Sequence, residues 1–264
     1  MGEVLDFPRD NLRYQYFVRE SNQHQAKLEC RTFQWLVEKY TNPGDTILDP
    51  MSGIGTVHLA ATMGRNTIAI EISPDFVELQ WENIQKLTEV LGIPHGVDVQ
   101  VLEGDCRRFL PLSEPASAVI FSPPYGSLWK ASAAPKSQFA LEKHINIGYD
   151  LQDANVGNIS TYPLYLSAMK EIYKSCNQSL KMGSYLISVT KDYVKGGQRV
   201  YVSKDNMVQL IAAGFQLTDW HFRYTDPKIF QLKARSLREE KGTGRAELDI
   251  DYEDILVCQK VEDV

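Results

Sequence analysis

A chain of 264 residues, 43% of them hydrophobic and 23% charged, has the apolar material for one well-buried domain over 1–264. No apolar run approaches the roughly 20 residues that a membrane span needs. The formal charge of −6 argues against a protein coated with phosphate-binding side chains, so any nucleic-acid contact has to be local.

The start, MGEVLDFPRD, has neither the basic nor the apolar part of a signal peptide, and Asp6 stands where myristoylation needs a hydroxyl. Cys30, Cys106, Cys176 and Cys258 form no CxxC, and the histidines have no ligand-like spacing. The expectation is reduced thiols, no metal site and a cytoplasmic protein.

From about residue 40 strands and helices alternate. Residues 42–45 (NPGD) are a turn into a short strand, 46–49. After MSGIG, residues 56–63 read as a helix stopped by Gly64. The β-branched run TIAIEI (67–72) is a buried parallel strand. Ser73-Pro74-Asp75 starts a helix: a capping serine, a proline in the first turn, an acid at the positive end. Phe76, Leu79, Ile84, Leu87 and Leu91 fall near one face of it, and Gly92 ends it.

Residues 98–105 are a third strand running into an acidic turn, and 117–122 a fourth. A helix over about 163–180, a turn at Lys181-Met182-Gly183 and a strand at 184–190 follow. A helix over 204–213 ends at Gly214, and 215–224 with 254–261 form an antiparallel hairpin. The pattern is α/β, a mostly parallel sheet with helices on both faces. Ligands of such sheets bind at the carboxyl ends of the strands. Two polar stretches, 126–162 and 225–252, break the alternation and are candidate functional loops.

Four motifs lie at strand carboxyl ends. In LDPMSGIGT (48–56), Gly53 and Gly55 allow a tight turn and close backbone approach, and the following helix offers free N–H groups. A plain β–α turn is the bland alternative. A dinucleotide site fits poorly, because no third glycine follows Gly55 at the required spacing. Glu71 ends the second strand, where a carboxylate accepts from ribose hydroxyls. In EGDC (103–106), Asp105 is placed to accept from an adenine amino group. Together the three outline a nucleoside-containing cofactor.

The fourth motif is Ser122-Pro123-Pro124-Tyr125. An exocyclic amine is a poor nucleophile because its lone pair is delocalised into the ring. Two acceptors on its N–H bonds hold it more tetrahedral and aim the lone pair at an electrophilic methyl. The Ser122 hydroxyl and the Pro123 carbonyl are the two acceptors, with the proline rings stiffening the turn. Tyr125 is a flat face for the base. Such chemistry needs positioning and electrostatics and no metal. A rigid turn with a buried tyrosine is the bland alternative.

The sequence resembles the S-adenosylmethionine-dependent amino-methyltransferases acting on DNA cytosine N4 or adenine N6. DPMSGIGT resembles the family's DPFxGxGT cofactor loop, with Met51 in place of the aromatic, and SPPY matches its catalytic tetrapeptide. HQAKL (24–28) resembles its HPAKF segment, departing at Gln25 and Leu28.

The resemblance implies a Rossmann-like class I methyltransferase with a seven-stranded sheet, S-adenosylmethionine as cofactor, and residues 1–40 as an arm and cofactor-closing segment. It implies cofactor contacts from Ala26 and Lys27, from Asp49, Pro50, Met51, Ser52 and Gly53, and from Gly55 and Thr56. Glu71, Ile72, Asp105, Cys106 and Ser122 complete that set. A serine at the first catalytic position is associated mainly with cytosine N4, so the expected reaction is N4 methylation of a flipped cytosine in DNA, as in restriction–modification. Adenine N6, an RNA amino group, and an idle nucleic-acid-binding subunit remain open.

Family members with this motif order usually carry a recognition domain after the catalytic half, for which this chain leaves no room. Recognition then falls to 126–162, with Lys130, Lys136 and Lys143, to 225–252, to the N-terminal arm, or to a partner. From Arg223 to Arg245 seven Lys/Arg face three acids, and Lys228, Lys233, Arg235 and Arg238 are the expected phosphate contacts. A homodimer or a separate specificity subunit is the alternative partner.

Overall fold

The computed structural model describes residues 2–7, 12–23, 28–124, 155–195, 197–225 and 249–264. Its strands in chain order are β1 (Val4–Leu5), β2 (Thr46–Asp49), β3 (Asn66–Glu71), β4 (Val99–Glu103), β5 (Ala116–Phe121), β6 (Leu180–Thr190), β7 (Tyr193–Lys195), β8 (Gln198–Val200), β9 (Phe215–Tyr224) and β10 (Tyr252–Lys260). Its helices are α1 (Leu12–Tyr16), α2 (Cys30–Tyr40), α3 (Leu59–Thr62), α4 (Pro74–Val90), α5 (Tyr162–Gln178) and α6 (Val202–Ile211).

Eight strands form one sheet in the order β1-β9-β10-β6-β5-β2-β3-β4. β6, β5, β2, β3 and β4 run parallel, and β10 lies antiparallel to both β6 and β9. The chain order reverses between β2 and β5, so a cleft opens at the carboxyl ends of β2, β3, β4 and β5.

The period-two alternation of the strands divides the core in two. On one face Leu48, Val119, Phe121, Leu186 and Leu256 pack with α5 and α6 residues such as Tyr173 and Leu210. On the other, Ile47, Ala118, Ile120, Ile187 and Ile255 pack with Phe33 of α2, Leu59 of α3 and Leu87 of α4. Ile120 is fully buried, and burial of such a side chain stabilises by roughly 1.5–3 kcal/mol. Both faces of the central strands are covered, which is why their sequences are continuous apolar runs.

Three expectations change. The sheet has eight strands instead of seven: the short β1 pairs parallel with β9 at the edge, and the Glu3 N–H donates to His221 Nδ1 at 2.8 Å. Residues 181–183 are not a turn but lie inside β6, where Gly183 at φ +81° takes up a register shift against β5. Leu91 is exposed, because α4 ends at Val90 and the chain reverses through Gly92 at φ +77°. Ser73 holds the N-cap position of α4, but its hydroxyl makes no capping bond.

All four cysteines are free and buried. Among the described residues no helix is long and apolar enough to cross a membrane, and no cluster of side chains could hold a metal ion.

Candidate functional site

The cleft at the strand carboxyl ends has a volume of about 900 Å³, its open mouth included. The loop after β2 forms its floor. Gly53 and Gly55 sit at φ +51° and +79°, a region that side chains rarely adopt. A Cβ on Gly55 would stand 2.6 Å from the His58 ring and 2.8 Å from Gln80 Cγ, so this glycine answers to packing behind the loop as well as to its turn. The Ser52 N–H and hydroxyl both donate to the Ile70 carbonyl, at 3.0 and 3.1 Å, which ties the loop to β3.

Glu71, at the end of β3, accepts from the Gly53 N–H at 2.7 Å and from the Ser73 N–H at 2.9 Å. The carboxylate therefore joins two strand-end loops at the cleft. Asp105, after β4, is clasped by Arg107: Nε reaches both carboxylate oxygens at 2.9 and 3.0 Å, and an Nη reaches Oδ2 at 2.6 Å. Partial desolvation pushes this carboxyl up, but the Arg107 hydrogen bonds and charge outweigh it and hold it below the usual range.

Asp49 is buried at the end of β2. Desolvation pushes its carboxyl up to about 8, the Met51 N–H at 3.0 Å opposes the shift, and the neighbouring Glu71 charge adds to it. Burial pushes the Cys106 thiol up to about 12, with Asp105 adding to the shift, so the thiol stays protonated and is no nucleophile.

The cleft brings together most of the residues picked from sequence. Asp49, Pro50, Met51, Ser52, Gly53 and Thr56 line one side. Glu71 and Ile72, Asp105 and Cys106, and Ser122, Pro123 and Pro124 line the others. Gly55 stands behind the loop and does not line the cleft. Leu28, from the HQAKL segment, does. Ala26, Lys27 and Tyr125 lie outside the described residues, as do Lys130, Lys136, Lys143, Lys228, Lys233, Arg235 and Arg238.

The donor set fits a nucleoside. Two carboxylates at successive strand ends suit hydroxyl and amino donors, and Ile72, Phe76, Pro123 and Val156 give apolar walls for a ring.

Sequence reading missed the shell behind the loop. Gln80 of α4 donates to Ser52 Oγ at 2.9 Å and to the Gly53 carbonyl at 2.6 Å. Asn83, one turn on, donates to the Ile54 carbonyl at 2.9 Å. Buried His58 spans Gln80 Oε1 and Thr67 Oγ1, and burial pushes its ring down to about 4. Arg13 of α1 donates to the Leu28 carbonyl and to Thr56 Oγ1, joining the N-terminal arm to the loop. Gln80 and Asn83 share the face of α4 that holds Phe76 and Leu79. A polar residue within an apolar stripe was the available signal.

Residues 7–82 match the family model described as DNA methylase. The chain is 38% identical over 69 residues to the type II methyltransferase M.BglI of Bacillus subtilis, covering 26% of this chain and 20% of that protein. It is 32% identical over 79 residues to the DNA adenine methyltransferase YhdJ of Escherichia coli, covering 30% and 26%. The matched part thus spans about a fifth to a quarter of these relatives.

Among solved structures, NSun6 of Pyrococcus horikoshii with SFG aligns at a TM-score of 0.55 and 15% identity, over 93% of this chain and 56% of that one. The precorrin 8W decarboxylase of Methanobacterium thermoautotrophicum aligns at 0.54 and 13%, over 93% and 97%. The fold is the Rossmann-like class I methyltransferase fold. Family match and fold together support S-adenosylmethionine as the cofactor.

Proposed function

Because residues 7–82 carry the sequence of the DNA methylase family, we propose that the protein is an S-adenosylmethionine-dependent DNA amino-methyltransferase acting on cytosine N4. One observation carries the reading: Ser122, Pro123 and Pro124 border the same cleft as the glycine loop and the acids at the ends of β3 and β4. The site for an amino group and the site for a nucleoside cofactor are continuous.

The cofactor, when bound, supplies an electrophilic methyl group. Glu71 would accept from its ribose, Asp105 would read its base from the end of β4, and the Gly53 backbone, Thr56, held by Arg13, and Leu28 would contribute to holding it. A target base flipped from the duplex enters at Ser122, whose hydroxyl accepts one amino N–H while the Pro123 carbonyl accepts the other. With its lone pair freed from the ring, the amino nitrogen would take the methyl group that the cofactor supplies, the methyl–sulfur bond breaking as the nitrogen–carbon bond forms, and the surplus amino proton would pass through the Ser122 or Pro123 contact to solvent. Pro123 and Pro124 keep the acceptors rigid, so little is reorganised at the moment of transfer. Tyr125 is assigned the stacking face. The lysines and arginines of 126–162 and 225–252 are assigned the phosphates.

Adenine N6 is the second reading, favoured by the match to a protein named as a DNA adenine methyltransferase. The deciding experiment treats DNA and RNA in parallel with labelled cofactor, digests both to nucleosides and identifies the product by mass. N4-methylcytosine from DNA is expected. N6-methyladenine would move the assignment to the second reading, label in RNA alone would overturn the substrate, and cofactor binding without any label would leave a binding subunit.

A further inference from the structure

A small hairpin, β7 and β8, leaves the sheet two residues beyond Thr190, at the carboxyl end of β6. Phe121, which precedes the catalytic serine, pairs with Ser188 of the same strand. The hairpin therefore rises from the sheet edge that carries the cleft, one strand away from Ser122.

Its base is fixed by buried polar contacts. Asp192, 6% exposed, accepts from the Ser203 N–H at 3.1 Å and from Arg199 Nε at 2.9 Å. The Ser203 hydroxyl donates to Asp254 at 2.6 Å and lies 2.9 Å from Thr190 Oγ1, and the Trp220 indole N–H holds the other Asp254 oxygen at 2.8 Å. Arg199 also donates to the Tyr252 hydroxyl at 2.6 Å and stacks on the Tyr252 and Tyr201 rings. Asp205 accepts from the Tyr162 hydroxyl at 2.8 Å. The acids of this region, Asp192, Asp205 and Asp254, are thus all turned to protein donors.

The outward face carries two cations and an aromatic ring beside exposed Val194 and Gln198. Lys195 and Lys204 are exposed, Tyr201 is 42% exposed, and Lys204 Nζ sits 4.9 Å from the centre of the Tyr201 ring. An ordinary solvent-facing hairpin would not need an anchor of four buried polar residues, Thr190, Asp192, Ser203 and Asp254. Their effect is to fix the base from which Tyr201 and the two lysines project at the cleft edge of the sheet, with Asp192 paired to Arg199 and the Asp205 and Asp254 carboxylates turned to protein hydrogen-bond donors. In a chain of net charge −6 such a place is where a polyanion can approach.

We propose that the 193–204 surface grips the DNA strand that carries the target base: Lys195 and Lys204 on phosphates, and Tyr201 under a base next to the flipped one. This rests on DNA being the substrate. The Lys204 ammonium, on its flexible stem, yields the ring face and moves to a phosphate, a contact a strongly hydrated point charge makes readily. Stacking on tyrosine is tolerant of base identity, so the surface adds affinity and orientation, not sequence choice.

The test is binding of a mixed-sequence duplex by the full chain, titrated from low to moderate salt, with methylation of the same duplex and cofactor binding measured alongside. Each lost phosphate contact flattens the plot of log affinity against log salt by about 0.9, so K195A/K204A is expected to flatten it by about 1.8. Loss of a stacked base in Y201A is expected to weaken binding about fivefold to 150-fold. Cofactor affinity should stay unchanged in both, because none of the three lines the cleft. Wild-type protein that methylates DNA, with variants that match it in slope and affinity, would overturn this proposal and leave the proposed function standing. Wild-type protein that neither binds nor methylates DNA would overturn the function and this proposal with it.

Discussion

The Gln80 side-chain amide donates to the Gly53 carbonyl at 2.6 Å, and so α4, which also lends Phe76 to the cleft wall, fixes the backbone that forms its floor. The same nitrogen reaches Ser52 Oγ, and the Gln80 oxygen meets His58. Replacing Gln80 by leucine takes one partner from each of these buried groups, and a buried polar atom left unpaired costs about 1–3 kcal/mol. Q80L is expected to lower the melting temperature and to raise the KM for S-adenosylmethionine at least tenfold, with kcat changed much less. Steady-state kinetics with the cofactor varied would show it. An unchanged KM would remove Gln80 from the cofactor site.

Glu71 offers a sharper case, because its carboxylate serves two backbone N–H groups and lines the cleft. In E71Q one acceptor oxygen becomes a donor and opposes an N–H. Hydrogen bonds to a charged group contribute roughly 1.5–3 kcal/mol, so cofactor affinity should fall roughly tenfold to hundredfold. Calorimetric titration with S-adenosylmethionine measures this directly.

Ser122 lines the cleft and has no part in the fold's hydrogen bonds among the described residues. S122A is therefore expected to keep its stability and cofactor affinity and to lose about a hundredfold to a thousandfold in single-turnover methyl transfer, the scale of losing one preorganised partner. Equal loss of binding and rate would point to a structural serine instead.

Stability should depend on pH through Asp49 and His58 with opposite signs. Asp49 is raised to about 8, so the folded state keeps a proton that the unfolded state has lost. Its contribution is complete below the unfolded carboxyl value and is lost as pH rises through about 8. His58 is lowered to about 4, so the unfolded state binds the extra proton and stability rises with pH between about 4 and 6.5. Above that range Asp49 acts alone of the two. Between pH 6.5 and 8 the wild type should lose roughly 1–2 kcal/mol relative to D49N, which carries no proton to release. Denaturant melts of both proteins at several pH values in that window check it, and parallel curves would refute it.

Much of the site was legible because its parts are local. Gly53 and Gly55 are required by positive φ, and a strand's period places Glu71 and Asp105 at carboxyl ends whatever the strand order. The strand period puts Ile120 and Phe121 on opposite faces of β5, and both faces are covered. The turn expected at 181–183 failed for the converse reason: Gly183 signals a local break, but β5 pairs with Leu180 before it and with Tyr185 after it, so the strand continues across.

The sequence by itself determined the α/β pattern, the final antiparallel hairpin and which residues stand at four strand ends, since each depends on residues within a few positions of one another. The tertiary structure decided the strand order, the β1 edge and the polar shell of Arg13, His58, Gln80 and Asn83 behind the loop. Gln80 is 28 residues from Ser52 and Arg13 is 43 from Thr56, and no local period encodes which buried donor meets which carbonyl across such separations. Only packing brings them within hydrogen-bond distance, and the cost of leaving a buried polar group unpaired then fixes the partnership.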